Sequence, residues 1–118
     1  LNRLPEDDVC HWGLALLGTD AVRDSSAAAI AVCGLLDLAT TLPATDDLRA
    51  CYEEMALRIM DSLTDNYLVH DEEDCDGLLK HSVYHMASGK GVDECCSWGD
   101  YFYVEALVRL TQCWQSYW

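Results

Sequence analysis

Residues 26–40 are apolar on nearly every face of a helix, reading AAAIAVCGLLDLA from Ala27 to Ala39. Asp24 and Ser25 just before it carry side-chain oxygens suited to capping a helix start, and Pro43 stops any continuation. A second helix is predicted over 46–67. There Leu48, Cys51, Tyr52, Met55, Ile59, Met60 and Leu63 recur at helical spacing, with Arg49, Glu53, Glu54 and Arg58 largely off that stripe. Thr45 can cap it, and Asp46 and Asp47 suit its positive N-terminus. A third helix is predicted over 100–114, with Phe102, Leu107, Leu110 and Trp114 on its apolar side. Ser97 and Asp100 before it form an S-x-x-D capping-box pattern. Residues 1–23 sustain no period and are broken by Pro5, Gly13 and Gly18. Residues 68–99 read as one long loop, within which 78–84 is short enough to be extended or helical. Loops of that length in compact domains often carry function.

The pattern is all-α, and it has a deficit. A helix that is apolar all round has to be buried on all sides. Two companions cannot enclose it, so apolar surface is left over, which marks a missing partner surface. Together with a first residue that is not methionine, this leads us to expect a fragment or a chain that needs a partner.

Charge narrows the partners. The 118 residues hold seven Lys and Arg against 21 Asp and Glu, a formal net charge of −14. Such a surface repels phosphate backbones and anionic membranes, so neither nucleic acid nor membrane is an expected partner. The longest apolar run, 27–36, is too short to span a bilayer. An anionic small substrate is compatible with this charge if a local basic pocket exists.

The seven cysteines are Cys10, Cys33, Cys51, Cys75, Cys95, Cys96 and Cys113. Three of them, Cys33, Cys51 and Cys113, fall in apolar helical patterns, where a reduced thiol packs as a small hydrophobe. No CxxC pair occurs, and adjacent Cys95 and Cys96 are poorly placed to bridge each other. A reducing, cytoplasmic location is the simplest expectation.

Most candidate chemistry dissolves under inspection. His81 and His85 have the four-residue spacing of a helical metal chelate, but no HExxH signature or third ligand accompanies them, so no metal site is assigned. Residues 72–77, EEDCDG, fail as a calcium loop because the twelfth position is Val83, and they read as a solvated acidic turn. Asp24, Asp93, Asp100 and Glu105 are available carboxylates, yet no spacing singles out a catalytic pair. Asp100 reads as a cap and Glu105 as an exposed helix charge. There is no Gly-rich phosphate loop and no G-x-S-x-G elbow, and no cofactor is expected. The informative stretch is HSVYHMASGKGVDE, 81–94. It gathers Tyr84, His85, Ser88 and Lys90 with Gly89 and Gly91. Hydroxyl, ammonium and flexible backbone together can hold an anion.

Three blocks carry a resemblance: RDSSAAAIAVCGLLDL at 23–38, LLKHSVYHMASGKGVDE at 78–94 and WGDYFYVEALVRL at 98–110. They resemble the unsaturated glucuronyl hydrolases, family 88 of the glycoside hydrolases, and their streptococcal-type members in particular. LPEDDVCHW at 4–12 is similar to the family's approach to the first block. The blocks keep the family's order and spacing near its C-terminus. The resemblance implies an (α/α)6 barrel, of which this chain supplies the last helical hairpins. Residues 1–118 would then be the C-terminal part of one barrel domain, with the N-terminal catalytic portion absent.

The resemblance also implies a reaction. The family removes a 4,5-unsaturated uronic acid from glycosaminoglycan-derived oligosaccharides by hydrating the vinyl ether, with an aspartate supplying the proton and activating water. Both working aspartates belong to the family's N-terminal portion, so no catalytic residue is assigned here. Members that favour sulfated disaccharides carry a Ser-x-x-Ser-x-Lys element. Its second serine and lysine correspond to Ser88 and Lys90, while His85 stands at the first serine. Tyr84 matches an aromatic near the sugar. The implied partners are an unsaturated glycosaminoglycan disaccharide and the rest of the barrel. A non-catalytic helical module that binds acidic sugars or a partner chain is the alternative.

Overall fold

The computed structural model describes residues 4–13, 21–70 and 75–115. Three helices carry the chain: α1 (Ser25–Thr40), α2 (Asp47–Asn66) and α3 (Ser97–Thr111). Between the last two stands a hairpin of β1 (Ser82–His85) and β2 (Lys90–Glu94), joined through a 3-10 turn at Met86–Ser88.

The first helix begins where its cap dictates. Asp24 Oδ1 accepts from the Ala27 amide at 3.3 Å and from Ser26 Oγ at 2.6 Å. Its small side chains Ala28, Ala29, Val32 and Cys33 are buried, and both other helices pack mainly on α1 rather than on each other. Val9, Met55, Ala56, Ile59, Met60, Leu63, Tyr67, Leu79, Tyr103 and Ala106 complete the core around it. A side-chain hydrogen bond, Thr64 Oγ1 to Tyr103 Oη at 3.0 Å, ties the flanking helices together. The expected deficit is present. Ile30 (42 % exposed) and Leu38 (50 % exposed) face outward on α1, with Leu57 on α2 and Val104, Leu107 and Leu110 on α3. Among the described residues, no helix is long and apolar enough to cross a membrane.

Several local expectations change. Asp46, not Thr45, caps α2, accepting from the Leu48 amide at 2.9 Å. Only the inner half of its stripe is covered; Leu48 and Cys51 at the first turns are exposed. Cys96 precedes α3 without any side-chain cap. Asp100 does not close a capping box with Ser97. Its Oδ1 accepts from the amides of Leu78 and Leu79, both at 3.0 Å, because the returning loop needs partners for amides beside a fully buried Leu79. Trp114 lies past the end of α3, 4.9 Å from the Arg109 guanidinium.

The long loop is the larger correction. It contains a two-stranded antiparallel sheet, so the all-α reading holds for the helices alone. Two strands of four and five residues with an irregular register leave no period-2 signature to read. The cysteine reading changes too. Cys33 is buried as expected, Cys51 and Cys113 are exposed, and Cys75 is disulfide-bonded to Cys95. The fold-back of the loop onto α3 brings those two together, a proximity invisible at 20 residues' separation. Of the acidic stretch 72–77, residues 72–74 lie outside the described residues.

Glu105 is not an exposed helix charge. It is 4 % exposed and paired with Arg109, whose guanidinium also reaches Asp37 on α1. Burial, then the Glu105 charge, pushes the Cys33 thiol up to about 12. Removing one partner of a buried pair leaves an uncompensated charge, at a cost of about 3–5 kcal/mol. Arg109→Met should therefore lower the urea unfolding free energy by about that much. Adding Glu105→Met to it should recover part of the loss, as followed by circular dichroism.

Candidate functional site

The residues expected to bind substrate converge at the free end of the hairpin. His85 ends β1 and pairs in register with Lys90, which begins β2. Between them the Met86–Ser88 turn closes on Gly89, whose φ of +64° is left-handed backbone that glycine adopts without strain. The Ser88 amide donates to His85 Nδ1 at 3.2 Å, and Ser88 Oγ lies 2.8 Å from the same nitrogen. An accepting Nδ1 assigns the proton of the neutral ring to Nε2, leaving an N–H free to donate outward. Lys90 is exposed and has no ion-pair partner among the described residues. The tip thus presents an imidazole donor, a hydroxyl and an ammonium on one turn.

Tyr84 is 65 % exposed and leans on Trp98, ring centroids 5.6 Å apart. Below it Gly91 is required: a Cβ there would sit 2.8 Å from Tyr84 Cβ, and its φ is +54°. Trp98 was not singled out in the sequence. Its Nε1–H donates to Ser26 Oγ at 3.2 Å, and Ser26 Oγ donates in turn to Asp24 Oδ1 at 2.6 Å. A polarised chain of this kind fixes the indole against the start of α1. The only signal for it was its place as the first residue of the third block.

His81 and His85 do not form a helical chelate. They flank an extended strand, and each has its own partner: Asp93 for His81 at 2.5 Å, Ser88 for His85. Of the four carboxylates considered, Asp24 is a cap, Asp100 a loop clamp and Glu105 a buried ion-pair member. Asp93 joins His81 beside a cleft of about 600 Å3 that is also lined by Asp7, Arg23, Asn66 and Tyr67. Asp100 and Glu105 line one groove with Leu78, Tyr101 and Val104, but Asp100 is engaged by the loop amides and Glu105 by Arg109.

That cleft is held by a network. Arg23 Nε donates to Asp7 Oδ2 at 3.1 Å, Tyr67 Oη donates to the same oxygen at 2.7 Å, and the Arg23 guanidinium lies 2.8 Å from His11 Nδ1. Burial raises the Asp7 carboxyl, but the Tyr67 and Arg23 hydrogen bonds, the Arg23 charge and the Val9 amide outweigh it, so it lies below its usual 3.8. Burial, then Asp7, pushes the Tyr67 phenol well above its usual range. A carboxyl with a lowered folded value stabilises the fold above its unfolded value, and that stability is lost as pH falls through the folded one. Asp7→Asn should therefore reduce stability near neutrality and flatten the decline below about pH 4, with the two curves converging in acid. Urea midpoints measured across that range check this.

No family model matches the chain. Sequence and fold comparisons agree with each other. The chain is 45 % identical, along its whole length, to the unsaturated chondroitin disaccharide hydrolase of Streptococcus pyogenes serotype M1, and spans 30 % of that protein. It is 37 % identical to the unsaturated glucuronyl hydrolase of Bacillus sp. strain GL1, spanning 32 % of it. The structure of a variant unsaturated glucuronyl hydrolase from Streptococcus agalactiae, complexed with dGlcA-GalNAc6S, superposes with a TM-score of 0.92 at 43 % identity, over all of this chain and 32 % of that one. The chain therefore spans about a third of the length of the relatives it matches.

Proposed function

Because the chain corresponds along its whole length to unsaturated glucuronyl hydrolases in both sequence and fold, we propose that it forms the C-terminal part of such a hydrolase. In this reading it supplies the last helical hairpins of an (α/α)6 barrel. The product is a substrate-contact element, not a proton-transfer site. The aspartate chemistry that hydrates the vinyl ether belongs to the remainder of the barrel, and the chain alone is inactive.

The observation that carries the substrate role is the hairpin tip. It collects Tyr84, His85, Ser88 and Lys90 within one exposed turn of a strongly acidic chain. The aromatic face of Tyr84 suits a sugar ring. His85 Nε2–H, Ser88 Oγ and the Lys90 ammonium suit an anionic substituent on it, and an exposed cation without an ion-pair partner among the described residues is locally conspicuous in a chain of net charge −14. A 4,5-unsaturated uronyl disaccharide from a glycosaminoglycan, sulfated on the neighbouring sugar, has both features. The substitution of His85 for a serine changes one hydroxyl donor to an imidazole donor and keeps the capacity for a hydrogen bond.

The test is a chimera in which this chain replaces the matching segment of the Streptococcus pyogenes relative. Loss of the ultraviolet absorbance of the double bond reports turnover. Lys90→Ala should raise KM for a sulfated unsaturated disaccharide about ten- to hundredfold, the equivalent of a charge-assisted contact of about 1.5–3 kcal/mol, and leave the unsulfated counterpart nearly unchanged. His85→Ser should improve the sulfated substrate selectively. Equal responses to both substrates in both variants would refute the anion contact. An inactive but folded chimera would refute the assignment of the chain to this barrel.

A further inference from the structure

The other end of the hairpin holds a feature that the substrate contacts do not use. The register runs Ser82 opposite Glu94, then Val83 opposite Val92, so Asp93 is an extra residue with no partner across the ladder. It is a β-bulge, and its φ is +63°, in the left-handed region. His81, the residue just before β1, is left-handed as well, at +65°. Neither is glycine. Aspartate and histidine are among the side chains that tolerate this backbone better than most, but it remains an unfavourable state that the surroundings have to hold. What joins the two is a hydrogen bond from His81 Nδ1–H to Asp93 Oδ1 at 2.5 Å.

The clasp is anchored on the helices through His81. The His81 carbonyl accepts from the Ser25 amide at 3.1 Å, at the first residue of α1. Its ring meets the Tyr67 ring edge-on, centroids 5.7 Å apart, at the end of α2. Next to it, Ser25 Oγ and Ser82 Oγ share a buried hydrogen bond of 2.9 Å, and the Lys80 amide donates to the Tyr67 carbonyl at 2.9 Å. β1 is therefore fixed to the helices at its base, whereas β2 runs on to the separate start of α3. The clasp is the side-chain bond that holds the bulge of the second strand against the fixed base of the first. A bulge bends and twists its strand, so its position sets where the far end of the hairpin points.

We propose that His81 and Asp93 are positioning residues: they lock the bulge at the hairpin base and so set the orientation of Tyr84, His85 and Lys90 at its tip. The inference rests on the reading of that tip as the substrate-contact element. It assigns neither residue a contact with substrate. Both side chains are substantially exposed, at 41 % and 61 %, so the bond acts by geometry more than by charge attraction, which solvent screens.

Hydrogen exchange of the whole chain, read by mass spectrometry over peptides covering 82–94, tests this without any substrate. Asp93→Ala and His81→Ala should speed exchange in the hairpin about tenfold, the equivalent of one lost hydrogen bond, and leave the α2 peptides unchanged. Asp93→Asn should restore protection, because its amide oxygen still accepts from His81 Nδ1–H and asparagine tolerates the left-handed backbone. Asp93→Gly separates bond from backbone. Glycine adopts the bulge conformation freely, so wild-type protection in that variant would show that backbone alone suffices and would overturn the proposal. Unchanged exchange in the two alanine variants, or a wild-type hairpin that exchanges as fast as unstructured chain, would overturn it as well. Because hydrogen exchange is read without substrate, the clasp can fail while the sulfate-selective effect of Lys90→Ala in the chimera stands, and that effect can fail while the clasp stands.

Discussion

A helix without a polar face cannot end at water, and α1 imposes that constraint on everything around it. Its inner positions are alanine, valine and cysteine, small enough for two helices to close on it from different sides. That closure puts the end of α2 and the starts of α1 and α3 near one another, and the hairpin springs from that end. The same constraint is left unmet elsewhere. Ile30 and Leu38 stay exposed, and apolar side chains of α3 stay exposed with them. The relatives that the chain matches are about three times as long.

The candidate site then follows from how the helix starts are finished. Asp24 caps α1 and, through Ser26, orients Trp98, on which Tyr84 leans. Asp100 sits in the first turn of α3 but serves the loop instead of its own helix, holding the amides of Leu78 and Leu79. A short hairpin is marginal by itself in water. Here its base is tied to two helices, and its tip is left free to present an imidazole donor, a hydroxyl and an ammonium.

Much of this was legible in the residues. The Asp24 cap, the apolar excess of α1 and the buried inner half of the α2 stripe all follow from local pattern, which is where pattern reading is strongest. The tip residues Tyr84, His85, Ser88 and Lys90 were identified together because they are sequential. Two misreadings are local, the α2 cap at Asp46 instead of Thr45 and the end of α3 short of Trp114, and the others are long-range. Asp100 resembled a cap because nothing local shows which distant amides lack partners. Glu105 resembled a surface charge because its burial depends on α1 packing over it, with Asp37 meeting Arg109 from 72 residues away. The sheet was hidden because the Asp93 bulge breaks the alternation that identifies a strand. Cys75 and Cys95 meet only after the loop has folded back.

In the proposed reading, the exposed face of α1 and α3 would be an internal surface of a larger barrel. Sedimentation velocity of this chain mixed with the N-terminal part of the Streptococcus pyogenes relative, cut where the similarity begins, tests it most directly. The account predicts a one-to-one complex that is lost when Leu38 is replaced by aspartate, a change on the exposed face away from the hairpin. Two species that sediment independently, with Leu38→Asp making no difference, would contradict it.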